Sequence, residues 1–405
     1  MIGRSLIAAR MDRIKPSPSS AASARVRELQ ASGRDIVGLT TGEPDFPTPD
    51  HIKLAALRAL ETDQTRYTNP DGTVEAKAAV QRKFQRENGL DYGLDQIIVS
   101  AGSKQSLFNA LLATVEPGDE VVIPAPYWVS YLDMVLLAGG TPVVVAGLEE
   151  HGFKLQPGQL ERAITPRTKW VLFNSPGNPS GATYSAAEMK ALAQVLLLHP
   201  HVHVVSDDIY EHLVYDGHAF ATIASVEPAL YERTLTINGV SKAYSMTGWR
   251  LGYAGGPREL IRNMSKLQSQ STTNPCSISQ VAAIAALDGP QDFIATRCRA
   301  FQQRRDVVVA MLNRIPGLSC RTPEGAFYVF PSCAGLIGQR TPSGERLATD
   351  GDVARYLLED GGVGVLQGEV YGLSPYFRIS TAAELPLLEE GCRRIAAAVG
   401  RLRQG

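Results

Sequence analysis

Between residues 96 and 240 the sequence alternates short apolar runs with stretches of helical periodicity, and this alternation constrains the fold most strongly. The runs are rich in Val and Ile and are bounded by Gly, Pro or Asn. Such runs are typical of strands buried on both faces, with the helical stretches as crossover connections. The pattern predicts an α/β fold, a mostly parallel doubly wound sheet covered by helices on both faces. The runs span residues 96–100, 120–123, 142–145, 169–173 and 201–205.

Polar residues follow several of these runs at the point where each predicted strand ends. The carboxyl ends of parallel strands meet at one edge of a sheet, and ligands of open α/β sheets bind there. We therefore expect the polar residues to line a common site. They are Ser103, Asn178, Asp207 and Lys242.

The stretch from residue 234 to 255 carries the most informative of these residues, Lys242. Its first half is apolar and β-branched, which predicts a buried strand, and Ser241 and Lys242 follow directly. Burial disfavours the charged form of a lysine, which lowers its pKa and makes the amine a better nucleophile. We predict that Lys242 forms a Schiff base with pyridoxal phosphate (PLP), with Ser241 and Arg250 on the phosphate. The alternative is a lysine in an exposed turn.

PLP needs further partners for its phosphate, its pyridine nitrogen, its 3′-oxygen and its ring. Gly102, Ser103 and Lys104 open a predicted helix, whose free N–H groups suit a phosphate. Asp207 is the predicted partner of the pyridine nitrogen, and Asp208 is its competitor, facing the opposite way if the strand continues. The remaining candidates are Tyr210 and Asn178 for the 3′-oxygen and Trp128 for the ring.

Three of these assignments have structural alternatives at this stage. Asn178 suits a turn, Asp207 suits a helix N-cap, and Trp128 suits a hydrophobic core. No metal site is expected. The nearest approach to one is a set of three histidines that alternate along the start of a predicted strand without acidic partners, namely His199, His201 and His203.

The bulk composition excludes several classes of protein. A net charge of −1 gives no indication of a nucleic-acid or membrane partner, and 44% apolar residues are ordinary for a globular enzyme. The five cysteines are scattered without CxxC spacing, which favours a reducing environment over a disulfide framework. No apolar run reaches about 18 residues, and the start lacks the features of a signal peptide. We expect a cytoplasmic protein.

Beyond residue 290 the pattern changes to that of a smaller α+β domain. Strands are predicted near 326–330, 363–366 and 376–380, and helices over 292–312, 352–359 and 386–400. We expect a large domain of residues 48–290 and a small domain of residues 1–47 plus 291–405. Four arginines are expected to form the solvated face of the helix over 292–312, namely Arg297, Arg299, Arg304 and Arg305.

Eight motifs follow one another along the chain: TTGEPDFPTP, RYTNPDG, SAGSKQSLFNALL, PYWVSY, NSPGNPSG, VSDDIYEHLVY, SKAYSMTGWRLGY and FRIS. Together they resemble class I aminotransferases of PLP fold type I, in the bacterial aspartate/prephenate aminotransferase-like subgroup, over nearly the whole chain. The resemblance implies a seven-stranded, mostly parallel sheet in the large domain. It also implies a ping-pong exchange of an amino group between an L-amino acid and a 2-oxo acid.

The resemblance also implies roles for individual residues. By this resemblance Lys242 is the Schiff-base lysine and the proton shuttle. Asp207 pairs with the pyridine nitrogen. Tyr210 and Asn178 contact the 3′-oxygen. Ser103, Lys104, Ser241 and Arg250 lie around the phosphate.

Other implied roles concern the substrate and the partner subunit. Arg378 of FRIS matches the arginine that binds the substrate α-carboxylate, and Gly42, Trp128 and Asn178 match substrate contacts. Lys104 is associated with a distal carboxylate, which favours aspartate or another dicarboxylic donor. Tyr67 matches a tyrosine that reaches the phosphate of the partner subunit, which implies a homodimer with a shared active site.

Departures from the family pattern keep the second substrate open. Gly239 stands where many relatives have a phosphate-binding Ser, and NPSG replaces the commoner NPTG. The stretch 361–375 diverges further. A PLP-dependent lyase, or an aminotransferase of aromatic or broad specificity, would use the same scaffold. A non-catalytic PLP-binding regulator would need residues for a DNA-binding domain, and none are to spare.

Overall fold

The computed structural model describes residues 6–404, and its central element is a sheet of seven strands. Sheets of two and three short strands lie outside it. In chain order the strands are β1 (Val37–Gly38), β2 (Ile97–Ser100), β3 (Glu120–Ala125), β4 (Thr141–Ala146), β5 (Thr168–Asn174), β6 (His203–Asp207), β7 (Thr234–Gly239), β8 (Gly252–Gly255), β9 (Tyr328–Val329), β10 (Val363–Gly364), β11 (Leu366–Gln367) and β12 (Phe377–Ser380).

The large sheet has the strand order β2-β8-β7-β6-β5-β3-β4. Only β8 is antiparallel to its neighbours β2 and β7, and the other four pairs are parallel. The prediction of a mostly parallel seven-stranded sheet is therefore confirmed. Since β2, β5, β6 and β7 all run in one direction, their carboxyl ends meet at the same edge.

Helices cover both faces of this sheet and build the smaller part of the molecule. They are α1 (Pro18–Ala31), α2 (Asp50–Glu61), α3 (Val74–Lys83), α4 (Ser103–Thr114), α5 (Ser130–Ala138), α6 (Pro157–Ala163), α7 (Ala186–Leu197), α8 (Ile223–Val226), α9 (Arg258–Ser269), α10 (Ser277–Asp288), α11 (Asp292–Leu312), α12 (Asp350–Glu359) and α13 (Leu385–Val399). No helix within residues 6–404 has both the length and the apolar character to cross a bilayer.

Alternate side chains of the strands face opposite layers, as the period of two requires. Val121 and Ile123 of β3 pack with residues of α4, α5 and α9. Val122, between them, packs with residues of α6 and α7 on the other face. Burying such a side chain stabilises the fold by about 1.5–3 kcal/mol. The central strands are apolar on both sides because helices cover both faces.

A second hydrophobic cluster lies outside the large sheet. It joins residues of β1 with residues of α11, α12, α13 and the strands β9, β10 and β12. In it β1 pairs in parallel with β10, so this N-terminal strand lies beside a strand of the C-terminal part of the chain. The domain boundaries at residues 48 and 290 stay a prediction.

The solvated face predicted for α11 is wrong for two of its four arginines. Arg304 is buried and donates two hydrogen bonds of 2.8 Å to the carboxylate of Asp45. Arg305 is buried and pairs with Asp216 and Asp306. A buried guanidinium needs such partners, and two of these three carboxylates come from loops distant in sequence.

Candidate active site

A cavity of about 500 Å³ opens at the carboxyl edge of the large sheet. Its walls come from the ends of β5, β6 and β7, from the first turn of α4 and from β12. All the predicted site residues except Gly102 and Tyr67 line it. They are Gly42, Ser103, Lys104, Trp128, Asn178, Asp207, Tyr210, Ser241, Lys242, Arg250 and Arg378.

Lys242 reaches into this cavity from the loop after β7. Its Nζ donates a 2.7 Å hydrogen bond to the carbonyl oxygen of Gly42 and lies 5.8 Å from the ring centroids of Tyr210 and Phe327. No carboxylate within residues 6–404 forms an ion pair with it. Desolvation, helped by the charge of Arg378, lowers the pKa of Lys242 to about 8. This shift increases the fraction of the amine that is neutral and nucleophilic near neutral pH, and the exposed-turn alternative does not hold.

Asp207, the last residue of β6, lines the cavity, and its carboxylate is only partly paired. Its Oδ2 accepts a 2.6 Å hydrogen bond from the hydroxyl of Tyr131, whereas its buried Oδ1 has no partner among the described residues. Burial raises the pKa of Asp207 to about 6, and the hydrogen bond from Tyr131 opposes that rise. No helix begins at Asp207, so the N-cap alternative fails. An orphaned acceptor of this kind suits a protonated pyridine nitrogen.

Asp208, the competitor, faces away from the cavity. Its Oδ1 accepts a 2.6 Å hydrogen bond from Ser206 Oγ, and it does not line the cavity. The alternation of side chains along a strand separates the two aspartates in this way. Burial raises the pKa of Asp208 to about 7, which favours its neutral form.

The first turn of α4 and the loop that holds Arg250 pack closely together. Gly102 has φ +91°, and a Cβ there would lie 2.6 Å from Arg250 Nη2. Gly102 therefore shapes the site without lining it. Ser103 Oγ donates a 2.8 Å hydrogen bond to the carbonyl of Asn238. Ser103 Oγ also lies against Gly239, where an added Cβ would come within 2.6 Å of this oxygen. That close approach explains why this chain has glycine where many relatives have serine.

Lys104 and Trp128 stand together on another wall of the cavity. The Nζ of Lys104 lies 4.8 Å from the Trp128 ring centroid, and desolvation and the nearby Arg250 lower the pKa of the lysine. The Trp128 ring packs edge-on against Tyr131 at 5.4 Å. Trp128 is only half-buried and lines the cavity, so it is not a closed core residue.

Arg378 of β12 points into the cavity although only 3% of it is exposed. Its Nη1 donates a 3.0 Å hydrogen bond to Asn178 Oδ1, and its Nη2 donates to the carbonyl of Thr40. Its Nε has no partner among the described residues. Asn178 is thus more than a turn residue, since its side chain orients the guanidinium. A buried, underused guanidinium suits a carboxylate ligand.

Several cavity residues were missed from the sequence. Tyr131 lies within the PYWVSY motif three residues after Trp128, and that spacing could have placed both on one helix face. Asn174 ends β5, donates a 2.9 Å hydrogen bond to the carbonyl of Asp207 and accepts one from the Asn178 N–H. Tyr328 gave no usable signal. Further lining residues come from α1 and the loop after β1, namely Ser19, Ser20, Ser23, Arg27, Thr40, Thr41 and Glu43.

The comparisons with known proteins agree with this geometry. The family model described as aminotransferase class I and II matches residues 34–395. An aspartate/prephenate aminotransferase of Cereibacter sphaeroides is 60% identical over 95% of this chain and 96% of its own length. A solved aspartate aminotransferase from Rhizobium meliloti has a TM-score of 0.96 and 55% identity, covering 99% and 100% of the two chains. The Thermus thermophilus aspartate aminotransferase with maleate has a TM-score of 0.91 and 41% identity, covering 98% and 100%.

Members of this family depend on PLP, and the residues of the cavity fit that group. Asp207 Oδ1, which has no partner among the described residues, suits the protonated pyridine nitrogen. The Lys242 amine, with its lowered pKa, suits the aldehyde. The N–H groups of the first turn of α4, with Arg250 packed against Gly102, suit a phosphate. With a family model over most of the chain and relatives above half identity along nearly its full length, the chain belongs to the class I and II aminotransferases and is a transaminase of PLP fold type I.

Proposed function

We propose that this chain binds PLP in the cavity through Lys242 and uses it in a ping-pong exchange of amino groups. The donor would be an L-amino acid, with aspartate or another dicarboxylic acid favoured, and the acceptor a 2-oxo acid. When bound, PLP supplies an electron sink for the α-carbon. The observation that carries the proposal is the meeting of three underused groups in one cavity, namely the Lys242 amine, Asp207 Oδ1 and Arg378 Nε.

Each part of the cofactor would have its own partners in this chain. Asp207 would accept from the pyridine nitrogen, and Tyr131 would hold the carboxylate in place. Tyr210 and Asn178 would donate to the 3′-oxygen, and Trp128 would pack on the ring. The phosphate would lie at the first turn of α4, bound by Gly102, Ser103, Lys104, Ser241 and Arg250.

Lys242 would also move the proton during turnover. A group transfers protons best when its pKa lies near the working pH, and the pKa of about 8 supports this role. Its Nζ would take the proton from the substrate α-carbon and return it to the cofactor carbon to which the amino group is attached. The Gly42 carbonyl, which accepts a hydrogen bond from this amine, would hold it between these steps.

Arg378 would bind the α-carboxylate with two parallel N–H donors. Lys104, on the wall with Trp128, would meet a second carboxylate. Relatives named aspartate aminotransferase or aspartate/prephenate aminotransferase support aspartate as a substrate and prephenate as a candidate partner substrate.

The proposal includes a homodimer in the cytoplasm. Tyr67 is 88% exposed and lies outside the cavity of its own chain, which supports a role in the partner's phosphate site. The exposed apolar residues Leu54 and Leu57 of α2 support an interface with a second copy. The five unpaired cysteines support a reducing compartment. The domain division at residues 48 and 290 belongs to the same proposal.

The test is a half-reaction with the PLP-loaded protein. With aspartate alone, the visible cofactor band should be lost after one equivalent of oxo acid has formed, and a 2-oxo acid should restore it. A panel of aspartate, glutamate, aromatic and aliphatic donors ranks the substrates. Sustained release of pyruvate or ammonia from aspartate alone would contradict the proposal and indicate a lyase.

A further inference from the structure

Tyr328 lines the cavity but has no role in the function proposed above. It lies on β9, outside the large sheet, and only 2% of it is exposed. Its hydroxyl lies 2.8 Å from the hydroxyl of Tyr210. Its ring lies 4.6 Å from the guanidinium carbon of Arg378. One side chain thus contacts both the residue proposed for the 3′-oxygen and the residue proposed for the α-carboxylate.

The loop after β1 is built around the Tyr328 hydroxyl. A Cβ at Gly42 would lie 2.1 Å from that oxygen, so only glycine allows the loop to pass over it. The carbonyl of the same Gly42 accepts the hydrogen bond from Lys242 Nζ. The position of Tyr328 is therefore fixed from several sides.

The direction of the tyrosine–tyrosine hydrogen bond follows from counting protons. A phenol carries one O–H donor and accepts at its oxygen. If the O–H of Tyr210 donates a hydrogen bond to the cofactor 3′-oxygen, the Tyr210 oxygen can only accept a hydrogen bond from Tyr328. Burial raises the pKa of both hydroxyls, with the charge of Arg378 opposing the rise at each, so both remain donors at working pH.

We propose that Tyr328 is a positioning residue of the transaminase reaction. Its hydroxyl donates to Tyr210 and strengthens the hydrogen bond from Tyr210 to the 3′-oxygen, and its ring supports the guanidinium of Arg378. The inference rests on the proposed function. Consecutive hydrogen bonds polarise one another, so the hydroxyl of Tyr328 affects the 3′-oxygen through Tyr210.

The charged groups that face this pair are few. Arg378 lies over the Tyr328 ring, and Lys242 Nζ lies 5.8 Å from the Tyr210 ring centroid. Asp207 acts on Tyr210 from the end of β6. Glu43 and Arg250 act on Lys242 with opposite signs. Replacing the Tyr328 hydroxyl leaves all five of these groups in place.

The main experiment is a pH titration of the visible absorbance of PLP-loaded Tyr328→Phe. That absorbance follows the proton on Lys242 Nζ once the cofactor is attached. Without the Tyr328 hydroxyl, Tyr210 is a weaker donor and leaves more negative charge on the 3′-oxygen. That charge holds the proton on Lys242 Nζ more tightly. We expect the midpoint to rise by about half to one pH unit relative to the unchanged protein. KM for aspartate should stay within about twofold, because the ring remains.

Two further variants separate the hydroxyl from the ring. Tyr371 places its ring 5.4 Å from the same guanidinium carbon, yet no hydrogen bond in the described part of the chain joins it to Tyr210. Tyr371→Phe should leave the midpoint unchanged. Tyr328→Leu should shift the midpoint as Tyr328→Phe does and also raise KM for aspartate several-fold, since the cation–π support is lost.

An unchanged midpoint in Tyr328→Phe, or an equal shift in Tyr371→Phe, would overturn the inference. These results are distinct from failure of the proposed function. That failure would appear in the unchanged protein, as a missing visible band or as no amino transfer to a 2-oxo acid.

Discussion

Lys83 and Lys242 lie in opposite surroundings, the first fully buried and the second half-buried on the wall of the cavity. Lys83 has no exposed side-chain surface, and its Nζ contacts the carboxylate of Glu211 and lies 2.7 Å from Asn88 Oδ1 and 3.5 Å from Glu87. Lys242 has one hydrogen bond to a backbone carbonyl and no acidic partner in the described residues. The first lysine is surrounded by acidic and amide partners, whereas desolvation lowers the pKa of the second.

The loop after β6 separates these two regions. Asp207 and Tyr210 face the cavity, whereas Asp208 and Glu211 face away from it. Asn88 donates a 2.8 Å hydrogen bond to Glu211 and completes the network around Lys83. An ionic network on one side thus anchors a loop that presents Asp207 and Tyr210 to the cavity on the other. The difference supports the proposal that Lys242 is the reactive lysine and that Lys83 has a structural role.

The largest expected effect is that of Lys242→Ala on turnover. Removing both the attachment point and the proton shuttle should lower kcat/KM for aspartate by at least about a thousandfold. The unfolding free energy of the cofactor-free protein should stay the same or rise, because a desolvated amine has been removed. Steady-state kinetics and urea unfolding measure the two quantities. Full turnover in this variant would contradict the assignment.

Lys83→Met should show the reverse pattern. It leaves Glu211 buried without its cation, which should lower the unfolding free energy by about 3–5 kcal/mol. Urea unfolding measures the loss, and part of it should return in Lys83→Met combined with Glu211→Leu. Lys53→Met is the matched control, because its pair with Asp50 is exposed to solvent and contributes little to stability. Equal losses at positions 83 and 53 would refute the contrast.

Arg378→Lys tests whether binding of the α-carboxylate requires two parallel N–H donors from one side chain. A lysine keeps the charge but not the planar pair of N–H groups, so KM for aspartate should rise about tenfold to a hundredfold. Arg299→Lys, on the exposed part of α11, should leave KM unchanged. An unaltered KM in Arg378→Lys would mean that another group binds the α-carboxylate.

Asp208→Asn should have the smallest effect, on the pH dependence of stability. Burial raises the pKa of Asp208 to about 7, above its ordinary value of 3.8. The folded chain therefore binds more protons than the unfolded chain between about pH 4 and 7, and stability falls as pH rises through that window. Asparagine mimics the neutral acid, so the fall should be smaller in the variant. An identical decline in urea unfolding between pH 5 and 7.5 would show that Asp208 is not its source.

The sequence predicted those parts of the site that depend on regular geometry. Ser103, Asp207 and Lys242 were placed together because parallel strands end at one edge, and that edge exists. Motif resemblance added Arg378, which lies on a different sheet. The position of Tyr328 was not predictable, because its contacts join segments far apart in the chain and no spacing rule links them.

Buried charges were the least predictable feature. Lys83 has the sequence context of an ordinary helix surface, and its burial depends on Glu211 from the loop after β6. Arg304 likewise depends on Asp45. Such pairs are specified by tertiary packing, which local periodicity does not encode. Because local sequence does not encode tertiary contacts, only the alternation of side chains along a strand could distinguish Asp207 from Asp208.

Chemical trapping of the cofactor tests the central claim most directly. Borohydride reduction of the PLP-loaded protein makes the bond between cofactor and lysine permanent, and peptide mapping then identifies the lysine. We predict one label per chain, on Lys242, with Lys83 and Lys104 unlabelled. A label on another lysine, or a protein that binds PLP and remains unlabelled after reduction, would contradict the account.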